Sequence, residues 1–331
     1  MKHKNIYLLV LVIVFMAACS TGRIYINVLQ PAAFNLPAAI QRISIFPGAG
    51  LPDEPGEWDS LRQINLVPDY NYNRIKRGYI YGLYDVISNS PRFQKVVIAD
   101  TVWEDLLGTG ILRWDELQQI CAEDSTDAVL ILKKAVSHDD LVHRYYTQSP
   151  CYFVLTMINE TKWAFYIPSS KTATENMVFT DTINIEQYDP LCDGWAKLQD
   201  IDAVLYESSF NTGMRVATRL SPYWKENITR TYYSGANREM RKAAALIKND
   251  QWQAAAEVWN TMAENQNSRL AAMSAFNLAL AWERDDELDQ AWLWINYADS
   301  LRSNKKTLSY KALLDQRMKS KPLLDLQMAG K

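Results

Sequence analysis

The chain has 331 residues, with 35 basic and 38 acidic side chains and a formal net charge of −3. Its length suggests about two domains, and an apolar fraction of 48% is ample for packed cores. The acidic balance argues against a nucleic-acid partner, which would call for a basic face. In chain order the first element is a leader. Lys2 and Lys4 form a positive head, Ile6 to Phe15 a short apolar run, and Met16-Ala17-Ala18-Cys19 a small-residue end. The run falls short of the roughly 20 residues that span a bilayer, and the three-part pattern is that of a secretory signal. Removing residues 1–18 leaves 33 basic against 38 acidic side chains, a mature net charge of about −5.

Residues 19–23 read as a tether, followed by an α/β domain over 24–233. Arg23–Leu29 and Gln41–Phe46 alternate polar and apolar residues, the period of strands. Phe46-Pro47-Gly48 to Gly56 is a proline- and glycine-rich loop. Asn73–Ser88 has a helical period that places Ile75, Tyr79, Leu83 and Val86 or Ile87 on one face, and Pro91 stops it. Phe93–Ala99 is a strand. Trp114–Ala122 is a helix that groups Leu117, Ile120 and Cys121. Ala128–Leu132 is a continuous apolar run, typical of a strand covered on both faces. Tyr152–Ile158 and Lys162–Ile167 are β-rich, and Asn159-Glu160-Thr161 between them predicts a hairpin turn. Met177–Glu186 adds a strand and Ala203–Leu220 an amphipathic helix ended by Ser221-Pro222. The order predicts an N-terminal α/β sandwich with a mixed sheet.

After Tyr233 the composition changes to alanine- and tryptophan-rich sequence. Helices are expected near 239–248, 251–264, 268–284, 287–301 and 307–319. The short polar breaks between them suit antiparallel neighbours. The overall class is therefore α+β: the sandwich, then an all-α region over 234–320, then a tail over 321–331. Two hairpins align at an offset of 36, pairing Ala243 with Ala279, Leu246 with Trp282, Asp250 with Asp286, Ala255 with Ala291 and Trp259 with Ile295. The second copy, Asn277-Leu278-Ala279-x-x-Trp282 … Ala291-x-x-x-Ile295-x-x-Ala298, resembles a tetratricopeptide repeat. Ala279 stands for the customary glycine, and the closing proline is absent. Because at least three repeats usually bury a continuous core, two must lean on something else: the 307–319 helix, the Tyr223–Tyr233 segment, or residues 200–211.

Cys19 directly after small residues resembles the lipobox of bacterial lipoproteins, although Met16 stands where leucine is commoner. That resemblance implies cleavage before Cys19, lipidation of its sulfur, acylation of its amine and attachment to a membrane through the lipid. The whole chain resembles a family of uncharacterised envelope lipoproteins of Bacteroides-type bacteria. The carriers are the lipobox, Trp114-Asp115-Glu116-Leu117 within a strand–helix–strand, Ser221-Pro222-Tyr223-Trp224, Gln251-Trp252-Gln253-Ala254 and Ala275-Phe276-Asn277-Leu278-Ala279. The first domain is distantly similar to the α/β domains of curli-secretion and penicillin-binding-protein activator lipoproteins. The resemblance implies an architecture and a location, with no established activity. In such bacteria acidic residues after the lipidated cysteine accompany surface export. Here Ser20-Thr21-Gly22-Arg23 follow, which implies the periplasmic face of the outer membrane.

Chemistry is sparse. Cys121 reads as a buried thiol. Cys151 and Cys192 are the one pair considered for a disulfide, which an oxidising compartment permits. A metal site needs at least three well-placed ligands; His138 and His143, with Asp139 and Asp140 between, are five apart on a post-strand loop or short helix, which does not put both imidazoles on one face, so they read as solvated. Gly48-Ala49-Gly50 is followed by Leu51-Pro52 rather than a helix, so no phosphate cradle is expected. The loop carboxylates Asp53, Glu54, Glu57 and Asp59 read as solvated. Asp100-Thr101-Val102, Asp181-Thr182-Ile183 and Asp299-Ser300-Leu301 resemble an O-glycosylation acceptor pattern of these bacteria. Trp259 and Trp282 occupy repeat packing positions and are expected in the core. Trp292 and Trp294, two apart on a helix, cannot share a face, so one of them, with Tyr297, is the candidate partner contact. The reading is an outer-membrane lipoprotein scaffold with no enzymatic activity, cofactor or metal, held by lipid on Cys19 and bound to an unidentified envelope protein. Its rivals are a regulator of peptidoglycan or polymer-secretion machinery acting through the α/β domain, and a glycan- or small-ligand-binding protein or enzyme using the loops at 47–72.

Overall fold

The computed structural model describes residues 21–48, 72–99, 113–144, 151–189 and 201–329. The leader, Cys19, the Asp53–Asp59 carboxylates, Thr101 and Cys192 lie outside the described residues. The fold is α+β, with a mixed sheet followed by C-terminal helices, and the chain divides into two compact units. One unit spans Pro31–Tyr223 and Leu326–Lys331, the other Met1–Gln30 and Trp224–Asp325. The first strand, β1 (Thr21–Gln30), therefore groups with the helices, and its start at Thr21 takes in residues expected to be a tether.

The α/β unit contains β2 (Arg42–Phe46), α1 (Tyr72–Ser88), β3 (Lys95–Ile98), α2 (Trp114–Asp124), β4 (Ala128–Arg144), β5 (Cys151–Ile167), β6 (Thr172–Asp189) and α3 (Ile201–Leu220). Its sheet runs β3-β2-β4-β5-β6; β2 is parallel to β3 and β4, and the remaining pairs are antiparallel. Strand alternation sends successive residues to opposite faces, and both faces are covered. Ile43, Ile45, Ala128, Leu130 and Leu132 pack with Tyr79 and Leu83 of α1 and Val216 of α3. Phe46, Val129 and Ile131 pack on the other side with Leu117, Ile120 and Cys121 of α2. The expected helical face of α1 is buried at Ile75, Tyr79, Leu83 and Ile87.

Helices α1 and α3 meet through glycines. A side chain at Gly78 would collide with Ser209, at Gly82 with the Phe210 carbonyl, and at Gly213 with the Tyr79 carbonyl. Gly48 sits at φ 58, with Leu132's carbonyl occupying the space a Cβ would need. That is a turn requirement, because only glycine adopts this backbone without cost.

The predicted hairpin at Asn159–Thr161 does not exist. β5 runs unbroken for 17 residues, with Asn159 opposite Ser137 and Asp181. Asn159 is 1% exposed and acts as a polar hub. Its Oδ1 accepts from Tyr79 Oη (2.9 Å) and Ser137 Oγ (2.6 Å), and its Nδ2 donates to Ser208 Oγ and Thr212 Oγ1 (both 3.0 Å). A residue that favours turns in isolation is here fully satisfied by partners from β4, α1 and α3. β4 likewise continues to Arg144, so His138 and His143 stand in a strand opposite Ile158 and Phe153 rather than on a loop or helix.

The helical unit contains β1, β7 (Tyr223–Tyr233, assigned to it from Trp224), α4 (Arg238–Lys248), α5 (Trp252–Ala263), α6 (Ser268–Arg284), α7 (Leu288–Leu301) and α8 (Lys305–Met328, assigned to it through Asp325). It is not all-α, because β1 and β7 form a two-stranded sheet. Tyr232 of β7 and Tyr310 and Leu314 of α8 belong to its core. Two of the three supports expected for the hairpins are thus present. The predicted tail is also helix: α8 passes through Pro322 and continues to Met328. In the α/β unit its final turn is held by Gln327, which exchanges hydrogen bonds with the Ala32 backbone (2.9 and 3.0 Å) and accepts from Arg92 at its carbonyl (3.0 Å).

Candidate functional site

The hairpins α4–α5 and α6–α7 repeat one another in backbone as well as in sequence. Asp250 and Asp286 both take left-handed conformations, at φ 57 and 60. The turns close with the same bonds: Gln251 N–H donates to Leu246 O at 2.9 Å, and Glu287 N–H to Trp282 O at 3.0 Å. Ala243, Ala255, Trp259, Ala279, Ala291 and Ile295 are all fully buried. Alanine at the contacts lets the helices approach closely, and the bulky residues fill the space between them.

α6 is held by two polar clamps. Asn277 Nδ2 donates to the Tyr233 carbonyl and its Oδ1 accepts from Tyr233 N–H, each at 2.8 Å, so one amide pairs with β7 as a neighbouring strand would. Glu283, with no exposed side-chain surface, accepts from Arg230 (2.9 and 2.7 Å), Tyr310 (2.7 Å) and Arg317 (2.9 Å). Burial pushes its carboxyl up, but hydrogen bonds and charge from Arg230, with Tyr310 and Arg317, hold it below the ordinary carboxylate range. A buried carboxylate persists only with such pairing.

With α6 fixed in this way, its C-terminal half floors a groove between α5 and α7. One cleft of about 570 Å³ is lined by Trp252, Ala256, Glu257, Trp282, Arg284 and Trp294, among others. A second, of about 430 Å³, is lined by Glu264, Gln290, Leu293 and Tyr297 and shares Asn260 and Trp294 with the first. Trp282 is 38%, Tyr297 41% and Leu293 61% exposed. The Trp294 and Tyr297 rings pack edge to face with centroids 6.0 Å apart. The Arg284 guanidinium lies 4.9 Å from the Trp252 ring and pairs with Asp285 at 2.9 Å.

Of the residues singled out from sequence, the structure brings Trp294 and Tyr297 together in the groove. Trp292 lines neither cleft and lies under the Lys311 ammonium, 5.8 Å from its centroid. Neither tryptophan is fully exposed; Leu293 between them is the open position. Trp282 is not core. Glu283 holds the buried face, and the adjacent helical position is turned about 100° from it. The groove residues missed from sequence, Trp252 and Trp282, carried a legible signal, since each sits beside a hairpin turn.

Other groups offer less chemistry. Among the described residues no three His, Cys, Asp or Glu side chains converge as metal ligands, and no helix is long and apolar enough to cross a membrane. Cys121 is a free thiol whose pKa burial raises, the opposite of an activated nucleophile. Asp181 is buried and paired with Arg219 at 2.9 Å. Lys306 sits over the Tyr233 and Phe276 rings at 4.0 and 4.8 Å, and burial lowers its pKa to about 8.

Comparison with known proteins adds a family. Comparison with curated proteins gives no match. Among solved structures, one described as a neuraminyllactose-binding hemagglutinin homolog from Helicobacter pylori is 11% identical, covering 56% of this chain and 84% of its own, with a TM-score of 0.32. Lipoprotein GNA1162 from Neisseria meningitidis is 15% identical, covering 51% and 98%, with a TM-score of 0.22. At those scores neither similarity supports a functional argument. Residues 241–316 match a family described as a domain of unknown function (DUF6340). Residues 56–233, just over half of the chain, match a second, and the chain belongs to that family, described as a domain of unknown function (DUF8603).

Proposed function

We propose that this protein is a non-enzymatic lipoprotein, anchored through Cys19 at the periplasmic face of an outer membrane, whose helical unit binds a partner protein of the envelope. The location rests on the leader and the lipobox-like Met16-Ala17-Ala18-Cys19. The hairpins α4–α5 and α6–α7 are read as tetratricopeptide-like, an arrangement that presents side chains from several helices to one ligand. The observation that carries the binding reading is the pair of joined clefts with four large aromatics at their surface: Trp252, Trp282, Trp294 and Tyr297. Half-exposed tryptophan and tyrosine in a concave surface are the residue types that dominate interface energies.

The test is a photo-crosslinking amino acid at Leu293, in the groove, or at Val178, 50% exposed in the α/β unit, in the lipidated chain in cells. The reading expects a specific adduct from the Leu293 position that is lost with Trp294→Ala. An adduct only from the Val178 position would move function to the α/β unit. Globomycin-type inhibition of lipoprotein processing, with retention of the leader, tests the anchor; normal maturation of a Cys19→Ser variant would remove it.

A further inference from the structure

Resting on the reading of the groove as a protein-binding site, we infer that its occupant is an extended basic segment, with lysine or arginine interspersed among bulky apolar side chains. The charge of the lining selects it. Among the described residues three carboxylates line the two clefts, Glu257, Glu264 and Asp285, against one base, Arg284. Arg284 is already occupied by Asp285 at 2.9 Å and Asp250 at 3.7 Å. Glu257 and Glu264 have no ion-pair partner among the described residues, and both are exposed. They are seven positions apart, Glu257 on α5 and Glu264 at the cap that ends it, so they place negative charge about 10 Å apart along the groove.

The aromatics point to the same chemistry. The groove already holds one guanidinium over a tryptophan face, that of Arg284 on Trp252. Trp282 and Trp294 line the same cleft, and rings of this kind attract cations. Apolar side chains of the segment would fill the space around Leu293 and Tyr297. The extended form follows from the amides: Asn260, shared by both clefts, and Gln253 and Gln290 are within the lining. Asn277 shows in this same unit how one amide side chain holds both the N–H and the carbonyl of an extended residue. An acidic segment would meet uncompensated carboxylates and be rejected, since like charges at an interface discriminate more strongly than matched ones attract.

Selection from a random dodecapeptide display library against the full chain tests this. Groove-dependent binders, defined as those lost with Trp294→Ala or with the uncharged Leu293→Ser, should carry net positive charge. A representative peptide should bind about tenfold more weakly to Glu257→Gln/Glu264→Gln at low salt, and the difference should shrink in about 1 M salt. Leu293→Ser changes an exposed position without altering the charge, so it reads the groove even where Trp294→Ala perturbs folding. Groove-dependent peptides that are neutral or acidic, or that ignore the glutamine variant, would overturn the charge inference and leave the protein-binding reading standing. No groove-dependent peptide at all, or saccharide binding abolished by Leu293→Ser, would overturn both.

Discussion

The α/β unit and the helical unit bury polar groups in opposite ways. In the α/β unit the cluster is neutral: one amide, Asn159, is surrounded by the hydroxyls of Tyr79, Ser137, Ser208 and Thr212. In the helical unit it is ionic: the Glu283 carboxylate stands between Arg230 and Arg317 with Tyr310 as a further donor. The neutral cluster joins elements whose apolar surfaces already enclose it. The ionic one fixes α6, the helix that floors the groove, against β7 and α8. The ionic cluster therefore anchors the helix that lies beneath the aromatic groove. A binding surface gains from such support, because a preordered site loses less entropy on association.

The contrast is broken most severely by Glu283→Gln, which leaves Arg230 without its carboxylate and Arg317 with Asp286 alone. Loss of one partner from a buried ion pair costs about 3–5 kcal/mol, measurable as a shift in the urea midpoint. The same pairing makes stability depend on acid. The folded carboxyl lies below its ordinary value, so its contribution is complete above about pH 4.5 and is lost as pH falls through the folded value. Glu283→Gln should flatten that acid slope, and an unchanged slope would contradict the assignment.

Asn159→Ala should cost about 2–3 kcal/mol by removing four buried hydrogen bonds, although Tyr79 and Ser137 keep their mutual bond and Thr212 its bond to the Ser208 carbonyl, with no change in the acid slope. Gly82→Ala should cost about 1–3 kcal/mol, since a methyl there must push α1 away from the Phe210 carbonyl. Trp282→Ala, at a residue 38% exposed, should cost about 1–2 kcal/mol, less than a core tryptophan; loss of partner binding is its distinguishing effect, read by the Leu293 crosslink. Lys306→Met acts in the other direction. The folded ammonium titrates near 8, below its ordinary 10.5, so its cost is full below pH 8. It disappears as pH rises from about 8 to about 10.5, where only the unfolded chain holds the proton. Discounted for partial exposure, the gain from Lys306→Met is about 1 kcal/mol near pH 7 and fades across that window.

Periodicity served well wherever burial is one-sided or continuous. Ile75, Tyr79, Leu83 and Ile87 line one face of α1, and Ala128–Leu132 is a strand covered on both faces, as their patterns require. It failed where a residue's local preference was overridden. Asn159 carries a turn signal that four hydrogen bonds cancel, and the expected tail is helix that runs through Pro322 to Met328. Gly78, Gly82 and Gly213 gave no pattern of their own; only the approach of α1 to α3 explains them. In the groove, spacing showed only that Trp292 and Trp294 could not share a face and left open which of them stands with Tyr297, whereas Trp282 was misplaced because its repeat partner Leu246 suggested packing.

Local sequence alone determined the helical and strand periods and the 36-residue repeat, because each is written in residues near one another along the chain. Tertiary structure decided which of the tryptophans face the groove, that β1 pairs with β7 nearly 200 positions away, and that Asn159 and Glu283 are hubs rather than turn or surface residues. Those outcomes depend on partners distant in sequence, and burial lets such partners reverse a preference that water would leave in force.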